Sequence, residues 1–144
     1  MAIWYGRERP TPGRLNSHRE KTLVGHLDIH FTEVGDDYLC ATMPVDTRTR
    51  QPYGVLHGGA SVAFAETMGS TGAACCIDNG RYQCFGQEIN ANHLRPVSSG
   101  LVTGTARPYH IGARSQVWGI EIRDDKDHLV CVSRITLAIV ERRV

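Results

Sequence analysis

Between residues 56 and 77 the chain reads LHGGASVAFAETMGSTGAACCI, apolar or small at almost every position, with Glu66 its one formal charge. The run predicts one long helix of about six turns. Elsewhere the pattern is that of strands. Leu27, Ile29 and Phe31 alternate with polar residues, and Gly35-Asp36-Asp37 turns the chain into residues 38–43, which together predict a hairpin. Beyond the helix, which should end near Asp78-Asn79-Gly80, the runs 82–93, 101–107, 116–123 and 129–140 all read as strands. Trp118, Ile120 and Ile122 share one face of the third, and Cys131, Ile135, Leu137 and Ile139 one face of the last. Ahead of the hairpin, residues 11–23 have a weaker helical pattern, with Thr11 as cap and Pro12 at the first helical position.

The order is therefore hairpin, long helix, four strands. Short connections favour antiparallel pairing. A helix with no polar face has to be covered on every side. A curved antiparallel sheet can wrap most of it, and a second chain can cover the remainder. The expectation is an α+β wrap formed by one domain over residues 1–144, with a partner chain. In such a helix a carboxylate is costly unless it is paired or put to use. Glu66 is thus a candidate for chemistry, the alternative being a structural glutamate tied to an arginine or to backbone groups.

Composition narrows the classes of function. With 144 residues, 41% hydrophobic and 22% charged, the chain can build a real core, and its net charge of +1 gives no bulk field for nucleic acid or an anionic membrane. The opening MAIWYGRERPTPG lacks the apolar stretch of a secretory signal, and no segment has the hydrophobicity of a membrane span. Five cysteines without CxxC spacing fit a reduced, cytoplasmic compartment, and seven histidines without ligand spacing point to no metal. No cofactor is expected.

If Glu66 acts as base or nucleophile on a carbonyl compound, a polariser is needed for the carbonyl oxygen. Gly58 and Gly59 open the long helix, where free N–H groups and the positive dipole end form a ready oxyanion site. Ser70 follows Glu66 at i+4 and shares its helix face. Gly58 and Glu66 are separated by roughly 12 Å of helix rise. One helix cannot bring both to one carbonyl, so the spacing predicts a site built from two chains.

The motif Gln51-Pro52-Tyr53-Gly54-Val55-Leu56-His57-Gly58-Gly59-Ala60-Ser61, followed by Ala65-Glu66-Thr67-Met68-Gly69-Ser70, resembles the hot-dog-fold acyl-CoA thioesterases. Met43-Pro44-Val45-Asp46-Thr47-Arg48-Thr49, Glu88-Ile89-Asn90-Ala91-Asn92-His93 and Gly112-Ala113-Arg114-Ser115-Gln116-Val117-Trp118 extend the likeness over residues 24–138. It is strongest to the bacterial branch acting on aromatic and related acyl-CoA esters. That branch includes the 1,4-dihydroxy-2-naphthoyl-CoA thioesterase of menaquinone synthesis and the proofreading thioesterase of enterobactin synthesis.

The resemblance implies a hot-dog fold and hydrolysis of an aromatic acyl-CoA. The Gly58 amide and Gln51 side chain would hold the thioester carbonyl, and Glu66 would act as nucleophile or general base. Ser70 would orient the carboxylate or water, and His57 would contact the sulfur. The CoA moiety would be held by His93, Arg95, Arg114 and Ser115. Homodimers with shared sites would pair into a tetramer. Small residues Gly69, Ser70, Gly72 and Ala73 are expected to leave room for a flat ring. Thr71, where relatives carry a larger apolar residue, leaves the acyl group undefined. A hot-dog hydratase or dehydratase and a non-catalytic acyl-CoA-binding module remain as alternatives, distinguished by enoyl-CoA hydration and by binding without turnover.

Overall fold

A computed structural model describes residues 1–143. After a short 3-10 turn at Tyr5–Arg7 come α1 (Pro12–Asn16), α2 (Leu23–His26), β1 (His30–Val34), β2 (Leu39–Pro44) and α3 (Gly58–Cys75). Four strands follow: β3 (Tyr82–His93), β4 (Leu101–Ile111), β5 (Ser115–Arg123) and β6 (Leu129–Glu141). They form one six-stranded sheet in the order β1-β2-β4-β5-β6-β3, with every neighbouring pair antiparallel. This is the α+β hot-dog architecture expected, a curved sheet around one long helix.

The concave face of the sheet carries the large core residues, among them Leu39, Met43, Val102, Trp118, Ile120, Ile122, Ile135 and Leu137, all at most 1% exposed. From α3 they meet Phe64, Ala65, Met68 and Ala73. The helix lies close because two positions facing the sheet are glycines. A Cβ on Gly69 would stand 2.4 Å from Ile135 Cγ2, and one on Gly72 would stand 2.7 Å from the Trp118 ring. The space at these glycines is thus filled by the chain's own core, and Ala73 is buried with them. The expectation that they open a pocket for a flat ring is corrected: of the four small residues named, Ser70 alone is on the open face.

The helix is shorter than residues 56–77. Leu56 forms an isolated bridge to Arg50, and His57 is the cap, its Nδ1 accepting the Gly59 N–H at 2.7 Å. The helix closes where the Cys76 N–H turns back to the Ala73 carbonyl and Asn79 Nδ2 donates to the Ala74 carbonyl. Nor is the helix covered on every side within one chain. Val62, Ala63, Glu66, Thr67, Ser70, Thr71 and Ala74 form a half-exposed stripe with helical spacing.

Strand order departs from a simple meander. β3 pairs with β6 at the edge and not with β4. Between β3 and β4 lie three strand spacings, roughly 14 Å, well within the reach of the connecting residues 94–100 in an extended conformation. That connection docks beneath the helix start, where the Leu94 N–H reaches the Val130 carbonyl and the Leu56 N–H the Val97 carbonyl. The helical pattern of residues 11–23 breaks into α1 and α2, with Lys21 at φ +58° between them. Thr11 caps α1 through the Arg14 N–H as expected. Near the C-terminus, Arg142 donates from Nε to the Asn79 carbonyl at 2.7 Å.

Candidate active site

The start of α3 borders a cleft of about 340 Å³ that gathers Gln51, Gly58, His93 and Arg95. Its geometry follows from the connection between β2 and α3. Pro52 and Gly54 mark a turn in which the Gly54 N–H bonds the Gln51 carbonyl at 2.9 Å and Gly54 takes φ +82°. Across this turn the Tyr53 N–H donates to Gln51 Oε1. The amide oxygen is thereby used, and the two Nε2 hydrogens remain for a ligand.

At the helix start the donors sort themselves. The Ala60 and Ser61 N–H groups return to the His57 carbonyl, and the Gly59 N–H goes to His57 Nδ1. Among the described residues no acceptor takes the Gly58 N–H. It is the free dipole-end donor expected of an oxyanion site. Because His57 Nδ1 accepts, the neutral ring carries its hydrogen on Nε2, and the side chain is exposed. His93 lies against Gly58, with Nε2 2.9 Å from where a Cβ would be. His93, the last residue of β3, therefore stands beside the free amide.

Glu66 lies two turns further along α3, on the half-exposed stripe. Its carboxylate rests on β3 at Gly86 and has neither an ion-pair nor a hydrogen-bond partner among the described residues. Burial pushes its carboxyl above the ordinary glutamate value. The alternative of a glutamate tied to an arginine or to backbone is not what the chain builds. Ser70 follows on the same face, and its hydroxyl does not bond back to the helix, unlike that of Thr67, which donates to the Ala63 carbonyl at 2.7 Å. Among the described residues the Ser70 hydroxyl has no partner, while the Ser70 carbonyl accepts from Cys84 Sγ at 3.5 Å.

Arg114 and Ser115 sit at the other end of the helix, on the β4–β5 turn. Their neighbours Gly112, Ala113 and Gln116 line a cavity with Cys76 and Ile77. One chain thus separates the expected residues into three places along α3: Gln51, His57, Gly58, His93 and Arg95 at its start, Glu66 and Ser70 in its middle, Arg114 and Ser115 at its end. Among the described residues there is no His, Cys, Asp or Glu group arranged for a metal ion. All five cysteines are free, with burial pushing Cys75 up to about 11 and Cys76 up to about 12. Protonated thiols of this kind are poor nucleophiles. No helix among the described residues is long and apolar enough to cross a membrane.

Sequence reasoning missed the Tyr53 N–H on Gln51 and the contact of Gly86 with Glu66. A glycine inside a strand pattern signals a close approach, but sequence alone does not say what approaches.

Known proteins place this geometry. The profile of the Thioesterase superfamily matches residues 53–131. The 1,4-dihydroxy-2-naphthoyl-CoA hydrolase of Escherichia coli strain K12 is 51% identical over 138 residues, covering 96% of this chain and 99% of that protein. The proofreading thioesterase EntH of Cronobacter turicensis is 48% identical, covering 96% and 98%. The crystal structure of a mutant thioesterase PA1618 from Pseudomonas aeruginosa superposes with a TM-score of 0.95 at 42% identity, covering 98% of this chain and all of that one. Likeness of this extent, in sequence and in backbone, means that the chain belongs to the thioesterase superfamily and is a hot-dog-fold thioester hydrolase.

Proposed function

We propose that the protein hydrolyses aromatic acyl-CoA thioesters to the free acid and CoA at sites shared between two chains. The observation that carries this reading is the unpartnered carboxylate of Glu66 on the open face of α3. It lies two turns from the free Gly58 N–H, a separation of roughly 12 Å along one helix. In a two-fold dimer with antiparallel helices, the helix start of one chain meets the helix middle of the other. Gln51 Nε2 and the Gly58 N–H of one protomer then hold the thioester oxygen, while Glu66 of its partner takes a proton from the attacking water, or itself attacks the acyl carbon to give an anhydride that water then hydrolyses to the free acid and the restored carboxylate. The C–S bond breaks, the sulfur leaves against the His57 Nε2 hydrogen, and CoA departs as the thiol. Ser70, on the same helix face, orients the attacking water.

Two features support a dimer. The half-exposed stripe on α3 lacks cover, and β3 is a twelve-residue edge strand with Phe85 56% exposed, a surface suited to pairing with another strand. An antiparallel dimer also brings the helix end that carries Arg114 and Ser115 toward the partner's helix start, so that these residues and the partner's own copies of Arg95 and His93 converge on one CoA. Two such dimers form the tetramer that the family resemblance implies. The aromatic preference draws on the E. coli relative, whose name specifies 1,4-dihydroxy-2-naphthoyl-CoA. Short side chains on the open stripe, Ala63, Ser70, Thr71 and Ala74, fit a flat acyl group. The site is cytoplasmic, where CoA esters are made.

Thiol release measured across benzoyl-, naphthoyl-, straight-chain and acetyl-CoA tests the reading. We expect kcat/KM to be higher for the aryl esters than for acetyl-CoA. Preference for acetyl-CoA contradicts the aromatic assignment, and hydration of an enoyl-CoA without thiol release contradicts hydrolysis.

A further inference from the structure

We infer that Gly86 on β3 is a positioning residue for Glu66: the missing side chain is the seat in which the carboxylate lies. The inference rests on the reading of Glu66 as the catalytic carboxylate. A Cβ built on Gly86 would stand 2.1 Å from Glu66 Oε1, 3.1 Å from Cδ and 3.5 Å from Oε2, with no other group among its three nearest neighbours. What a side chain would displace is therefore the carboxylate itself.

Two further observations point the same way. Glu66 has no hydrogen bond or ion pair to fix it among the described residues, so its place is set by packing against the strand. The β3–β6 register also shifts between Gly86, opposite Leu137, and Glu88, opposite Thr136, leaving a bulge at Gln87. Bulges bend a strand and re-aim the residues beside them. Here the bend falls at the residue that faces the carboxylate. A seat of this kind restrains Glu66 without neutralising it. A salt bridge or strong donor would also hold the carboxylate, but at the cost of its basicity.

The difference between Gly86 and the packing glycines is what yields. At Gly72 an added Cβ meets the buried Trp118 ring, and the core must move. At Gly86 it meets the end of a flexible, half-exposed side chain. Gly86→Ala should therefore fold normally while moving the carboxylate by about 1 Å, a misplacement of the size that costs on the order of 10² in rate.

The test is steady-state thiol release with an aryl-CoA, together with thermal melting, for Gly86→Ala, Glu66→Gln, the double variant and Gly119→Ala. Gly119 is a control on β5, where a Cβ would meet the exposed Tyr109 ring. We expect Gly86→Ala to lower kcat about 10²-fold with KM and melting temperature unchanged, and Gly119→Ala to keep wild-type turnover. In the Glu66→Gln background the Gly86→Ala change should cost nothing more. Wild-type kcat for Gly86→Ala, beside an inactive Glu66→Gln, overturns the inference and leaves the Glu66 assignment standing. Full turnover by Glu66→Gln overturns the assignment first, and the inference with it. If Gly86→Ala lowers the melting temperature, the same loss in a Glu66→Ala background shows a purely structural glycine and also overturns it. Recovery of stability there supports the seat.

Discussion

Replacing Glu66 by Gln preserves shape and most of the packing on Gly86 while removing the charge. No ion pair or hydrogen bond is broken, because among the described residues none is made. If Glu66 has the proposed role, the chemical step loses its nucleophile or base, and kcat should fall about 10²–10⁴-fold, equivalent to roughly 3–5 kcal/mol of barrier. Stability should move in the opposite direction. Burial raises the folded-state pKa of Glu66 above its unfolded value. The stabilisation that comes from binding the proton is therefore fully present below the unfolded glutamate pKa and is lost as pH rises through the raised folded value. Glu66→Gln removes that dependence. Its melting temperature should exceed that of the wild type at neutral pH and converge with it in acid. The acid limb of kcat/KM for the wild type should lie above the ordinary glutamate range. Thiol release and thermal melts across pH measure both. Turnover within a few-fold of wild type, or a variant that melts lower at neutral pH, would refute the reasoning: the first removes Glu66 from the chemistry, the second means that its charge is satisfied.

Three further outcomes are expected. At Gly54, where a methyl would meet nothing within 4 Å but φ is +82°, Ala should lower kcat/KM by straining the turn that aims Gln51, with about 1–2 kcal/mol of backbone cost, whereas Asn, which tolerates that conformation, should retain more activity; equal effects of the two in the kinetic assay would contradict the turn's role. Arg95→Ala and Arg114→Ala should each raise KM for an acyl-CoA with little change in kcat, and should weaken its dependence on salt; unchanged KM in both would remove them from CoA binding. Trp118→Ala empties a fully buried site and strands the Gln116 Oε1 that accepts its Nε1–H at 2.9 Å, costing about 3–5 kcal/mol and lowering the melting temperature by on the order of 10 °C; a shift of one or two degrees would mean that the core collapses around the gap.

The elements were legible in the sequence because each carries its own periodicity. Tyr82–His93 is the strand its pattern predicts, and Thr11-Pro12 starts a helix because the cap and proline act locally. Strand order was not legible. β3 pairs with β6 across the sheet through contacts distant in sequence, and the length of residues 94–100 permits either arrangement. The roles of small residues in α3 were misread for a related reason. Gly69 and Gly72 look like open space in a sequence, but Ile135 and Trp118, more than forty residues on, fill it. Candidate site residues could be picked out as residue types, with Glu66 conspicuous as the one charge in an apolar helix. The contact of Glu66 with Gly86 depends on where β3 passes the helix, which no local pattern encodes.

The most direct test of the shared site mixes two inactive variants, Gln51→Ala and Glu66→Ala, under conditions of subunit exchange verified by native mass spectrometry. Each mixed dimer pairs the intact Gln51 and Gly58 of one chain with the intact Glu66 of the other at one of its two sites. With random reassortment, about one quarter of wild-type thiol release per chain should return. If the mixed dimers are present and the mixture stays as inactive as either parent, the account of one site built from two chains is wrong.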